Sequence, residues 1–121
     1  MSKSEKEYQA IRDRIAARIG REPRIVYELD SDLDKVAFHG IVCFIEIRQS
    51  LHGFKDGKTD SVVYTSPVTH NPTFLDVAAY ADEMLHVMGD EHHIFLARVD
   101  IIGTQYHDGS GIKFAGFSME S

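Results

Sequence analysis

"FLDVAAYADEMLHVM", residues 74–88, decides how the rest of the chain can fold. Phe74, Val77, Ala78, Ala81, Met84, Leu85 and Met88 recur at the i, i+3, i+4 and i+7 spacing of a single helical face. Asn71, Pro72 and Thr73 precede it as cap-type residues with a proline tolerated in the first turn, and Gly89 ends it. The polar positions carry Asp76, Asp82 and Glu83 instead of the lysines of an interfacial helix, so the apolar stripe is expected to pack on a core.

Working outward, an earlier helix is marked by Ser4 and Glu7 as a capping box, by Tyr8, Ile11, Ile15 and Ile19 as its apolar stripe, and by Gly20 as its stop. Arg12, Asp13, Arg14 and Arg18 are left for water or a neighbour. A short strand over 24–28 is expected after Pro23. Residues 40–48 alternate with period two, Ile41, Cys43, Ile45 and Ile47 on one face and Val42, Phe44, Glu46 and Arg48 on the other. The isoleucine face reads as core. After the second helix, 94–105 reads as a strand with Phe95, Ala97, Val99 and Ile101 on one side, and 112–119 returns antiparallel after the turn at 107–111. The order α-β-β-β-α-β-β predicts one α+β domain over residues 1–121, two helices packed on a mainly antiparallel sheet of about five strands.

Between the second and third strands, "QSLHGFKDGKTDSVVY", residues 49–64, reads as a β-hairpin turning at Asp56-Gly57, with Lys55 facing Lys58, His52 facing Ser61 and Arg48 facing Thr65. Its outer half is mostly polar. An isolated two-stranded ribbon is marginal in water, so a protruding hairpin over 48–65 implies a neighbouring molecule. Leu51, Phe54, Val62, Val63 and Tyr64 are the side chains expected to gain burial there, with Arg48, His52, Lys55, Asp56, Gly57 and Lys58 completing the interface.

The totals bound the function. The 121 residues suffice for one modest core, and 43% apolar with 26% charged residues is the balance of a globular chain. A net charge of −6 opposes a sequence-independent grip on nucleic acid. No apolar run approaches the roughly 20 residues that span a bilayer. The opening MSKSEKEY lacks the apolar stretch of a signal peptide, which points to intracellular synthesis. The single cysteine, Cys43, excludes an internal disulfide and sits in an apolar run, where a buried inert thiol is expected.

Tests for chemistry return little. His86, Asp90, Glu91, His92 and His93 cluster in sequence, with His107 further on, but match neither H-E-x-x-H nor a Cys/His zinc framework. Asp30, Asp32 and Asp34 occupy the first three liganding offsets of a calcium loop, yet Lys35 stands where its glycine belongs and Ile41 where its glutamate belongs. There is no G-x-S-x-G elbow, and "HDGSGIK" leads into a strand instead of a phosphate-binding helix. No catalytic residue, metal or cofactor is assigned.

In element order the chain resembles the tail-terminator or tail-completion proteins of tailed bacteriophages. The likeness rests on the N-terminal helix, the strand pair with its extended hairpin, "FLDVAAYADEMLHVM" and the closing pair "VDIIGTQYHDGSGIKFAGFSM". That resemblance implies a non-enzymatic virion protein of the tail and neck, a ring usually of six copies that caps the tail tube and contacts tube and neck proteins. It implies no nucleic-acid specificity and no membrane. The alternatives are a small acidic binding module, such as a phage-encoded inhibitor of a host protein, and a histidine-based metal-binding protein.

Overall fold

A computed structural model of the chain describes residues 3–49, 61–107 and 110–121. The helix α1, Glu5–Ile19, is followed by strands β1 (Val26–Tyr27), β2 (Ile41–Gln49), β3 (Ser61–Thr65) and β4 (Thr69–His70); then come helix α2 (Phe74–Met88) and strands β5 (Phe95–His107) and β6 (Ser110–Glu120). The fold is α+β, as the sequence implies. The sheet is mixed and has six strands: β1-β5-β6-β2-β3 in order, with β4 paired to the other end of β2. β2–β3, β2–β4 and β5–β6 are antiparallel, whereas β1–β5 and β2–β6 are parallel. The two-residue β4 is the strand the sequence does not announce.

Both helices are capped at the expected residues, although at α1 only the Ser4 half of the expected Ser4–Glu7 capping box forms. Ser4 Oγ accepts the Glu7 N–H, and Gly20 takes the left-handed conformation at φ 76°. Thr73 and Asp76 form a reciprocal capping box at the start of α2, and Gly89 closes it at φ 66°. The next free donors of α2 are taken by the 33–35 segment: Phe74 N–H donates to Lys35 O and Leu75 N–H to Leu33 O, both at 2.9 Å.

The core lies between the helices and one face of the sheet. Ile15 of α1 and Val77, Ala78, Ala81, Met84 and Leu85 of α2 pack on Val42, Phe44, Leu96, Ala115 and Phe117, almost all without exposed surface. Phe44 is its centre, stacked on Phe117 with ring centroids 5.4 Å apart. The expectation for β2 is therefore inverted: Val42 and Phe44 face the core, and the isoleucine face lies on the far side. In β5 an irregularity between Leu96 and Arg98 shifts the alternation, so that Leu96 and Val99 share the core side.

The β2–β3 register also differs. Arg48 pairs with Val62 and Ile45 with Thr65, three residues from the expected alignment. An odd shift exchanges faces. In the expected register Tyr64 would lie on the isoleucine face. In the observed one it stands opposite Glu46, on the side of Phe44, where only 3% of it is exposed. The observed register puts this ring in the core, and the turn residues Asp56 and Gly57 lie outside the described residues.

Candidate interaction surface

Two 15-residue helices on one side leave the other side of the sheet to its own side chains. That outer face collects Ile45 and Ile47 from β2, Val63 from β3, Ile102 from β5 and Gly116 from β6. Register places Ile47 beside Val63, and these two are 62% and 52% exposed. A second irregularity, between Ile101 and Gly103, turns Ile102 outward at 63% exposure. It leans over Gly116, where an added Cβ would stand 3.3 Å from Ile102 Cγ2. Arg98 and Asp100 border this patch as an exposed ion pair at 2.9 Å. Exposed apolar side chains gathered on one face in this way make it the candidate contact surface among the described residues.

Beyond this patch, the base of the β2–β3 pair is anchored to the end of α2. Asp90 accepts the N–H groups of His92 and His93 at 2.8 and 3.0 Å, the Arg48 guanidinium, and the His93 ring at 3.1 Å. Burial pushes the Asp90 carboxyl up, but the donors from His93, His92 and Arg48 outweigh it and hold it well below the usual carboxylate range. Glu46, next along the same face, is shifted upward by burial, with Arg48 opposing.

The expected interface residues divide. Leu51, His52, Phe54, Lys55, Asp56, Gly57 and Lys58 lie outside the described residues. Val63 is exposed and Val62 is half-buried. Tyr64 corrects the expectation, because its own subunit already covers it and no partner is required for its burial. Its hydroxyl has no hydrogen-bond partner among the described residues, and burial raises its pKa, with the nearby Glu83 charge adding to the effect.

Asp82 is the main residue that sequence reasoning misplaced. It belongs not to a solvated face but to the interior, fully buried. Its carboxylate accepts the Arg24 and Ile25 N–H groups at 2.5 and 3.0 Å and the Arg21 guanidinium at 2.6 Å, clamping the α1–β1 connection to α2. The signal was available: Asp82 falls one helical turn from Ala78 and next to Ala81, inside the apolar stripe. Ile47 carries a partial signal, since β2 is apolar on both faces over 41–45 and two helices can cover only one; Ile102 carries none, because the irregularity in β5 sets its direction.

The remaining motifs are engaged locally. His86 Nε2 accepts from Arg21 Nε at 3.1 Å, and the side chain of His107 lies outside the described residues. Asp34 accepts both Arg14 nitrogens, at 2.6 and 3.2 Å, and this pairing lowers its pKa. Among the described residues no three His, Cys, Asp or Glu side chains come together in a metal-holding group. No described helix is long and apolar enough to cross a membrane. The Cys43 thiol is buried and donates to Ser66 O at 3.4 Å. Compared with known proteins, the chain matches no family model, no curated sequence and no solved structure.

Proposed function

We propose that the chain is a self-assembling, non-enzymatic structural protein, a ring-forming component of a phage tail and neck comparable to tail terminators. The observation that carries the reading is the outer sheet face, where Ile47, Val63 and Ile102 are exposed together with Gly116 between them. Each of these three side chains is already partly covered, so removing the rest from water contributes roughly 1–2 kcal/mol apiece before the cost of association. Arg98 and Asp100 bring equal and opposite charge to the rim, so copies of a chain carrying −6 meet there through a locally neutral surface. The order of helices and strands supports the tail-terminator form of the reading.

Size-exclusion chromatography with light scattering tests it. The wild type is expected to run as an oligomer, and Ile47→Glu and Ile102→Glu as folded monomers. A wild type that stays monomeric at high concentration, and is assembled by no tail-tube or neck protein, removes the proposal.

A further inference from the structure

The outer sheet face carries its own counter-charge. Register sets Arg98 beside Ser118 and Asp100 beside Gly116, so guanidinium and carboxylate stand two residues apart on one face of β5, their side chains 72% and 57% exposed. With Ile45, Ile47 and Ile102 they wall a shallow hollow of about 410 Å³ floored by Gly116 and Ser118. The other exposed large apolar side chains among the described residues, Val36, Val68, Val87 and Ile101, are spread over two connections, α2 and the helix side of β5. The helical layer presents a different surface, crossed by the ion pairs Arg12–Glu22, Arg14–Asp34 and Arg18–Asp76. An apolar sheet laid on those pairs would strip water from charges it cannot replace. Laid on a second face of its own kind, it covers only Arg98 and Asp100, and each of these can find the opposite charge.

From this geometry we infer that the contact between copies is two-fold: the outer sheet face of one chain packs on the same face of a second, with Arg98 of each opposite Asp100 of the other. The inference rests on the self-assembly reading and adds to it the symmetry of the contact. A two-fold axis crossing β5 between these residues reverses the strand direction, so each guanidinium lands on a carboxylate and like charges do not meet. A patch that bears both signs side by side is self-complementary, which an isologous contact requires. The glycine floor gives the aliphatic stem of the second copy's Arg98 a place to lie, over Gly116 and against Ile102. Area favours a sheet as the occupant. β5, β6 and β2 run side by side for about nine residues, with the shorter β3 beyond, and at about 4.8 Å between strands and 3.3 Å per residue they present on the order of 500 Å² per copy. Two such faces together bury about 1,000 Å², the size at which a specific contact begins, and a lone strand or helix would cover only part of it. Sheets meet this way with their strand directions within about 30°. Each chain engages one other through this face, so any larger ring built on the contact holds an even number of copies.

Arg98→Asp and Asp100→Arg test the symmetry. An exposed pair on one strand contributes little to the monomer, so both variants are expected to keep the wild-type circular dichroism. Alone, each variant sets like charges against one another across the contact, and its self-association in sedimentation equilibrium is expected to weaken about tenfold. Mixed in equal amounts, the two are expected to form an equimolar heterodimer within about threefold of wild-type affinity, because the acidic face of one then meets the basic face of the other. Native mass spectrometry of the wild type, a readout that does not depend on how the variants fold, is expected to show oligomers of even copy number only. If both variants associate like wild type, if mixing fails to rescue association while Ile47→Glu still abolishes it, or if odd-numbered oligomers dominate, the contact is not two-fold and the assembly reading survives. A wild type that never self-associates removes both.

Discussion

Arg48 and Asp90, one near the end of β2 and the other just past α2, are joined by a guanidinium–carboxylate hydrogen bond that ties the base of the β2–β3 pair to the helical layer. Asp90 is also the acceptor for two backbone N–H groups of the following turn, so one carboxylate orders two connections. Its pKa is lowered in the folded chain. Its contribution is therefore complete above the unfolded aspartate pKa, near 3.9, and is lost as pH falls from there through the lower folded value. Acid titration followed by circular dichroism should show stability falling below about pH 4 in the wild type. Asp90→Asn should be less stable at neutral pH by about 1–3 kcal/mol and show a shallower acid limb. Equal acid limbs would mean that another group governs this range.

Asp82 makes a sharper case, because its partners are themselves held by it. Asp82→Ala leaves the Arg24 and Ile25 N–H groups and the Arg21 guanidinium without their acceptor. A loss of about 3–5 kcal/mol in urea unfolding is expected. Arg21→Ala should cost less, since Arg21 is 42% exposed and the two backbone donors remain on the carboxylate.

Tyr64→Phe should have the opposite sign. The ring is buried and useful to packing, but the hydroxyl lacks a partner among the described residues. Removing it should leave stability unchanged or raise it by up to about 1 kcal/mol, read from the denaturant midpoint.

Gly116→Ala separates folding from assembly. The new Cβ meets only the side chain of Ile102 closely, and that side chain is exposed enough to swing aside. The monomer's stability should change by less than about 0.5 kcal/mol. Self-association should change measurably, because the variant raises the floor on which a second copy would sit.

Much of this architecture was readable from short-range signals. The two helices, their caps and the long closing hairpin follow from periodicity and from Ser4, Gly20, Thr73 and Gly89, all of which act within a turn of where they stand. What escaped was set at long range. The core side of β2 depends on Phe44 meeting Phe117 and both helices, and two-residue alternation alone does not rank an isoleucine face against a valine–phenylalanine face. The β2–β3 register goes with the burial of Tyr64 in the core, a long-range contact that strand alternation does not announce. The irregularities at Leu96 and Ile101 have no local sequence mark, yet they decide which β5 side chains point outward. The candidate surface was legible only in part for the same reason: Val63 was anticipated, whereas Ile47, Ile102 and Gly116 become neighbours only once β2 lies parallel to β6.

That parallel pairing also sets an order of events during synthesis. Ile41 finds its partner at Ile112, and β1 finds Phe95 and Leu96, so a nascent chain that has emerged only as far as α2 holds two helices and the β2–β3–β4 segment without the strands that join them. Such distant pairings close slowly. Until the C-terminal hairpin arrives, the edge of β2 that β6 will occupy stays unpaired, and the growing polypeptide carries an open strand edge through that interval.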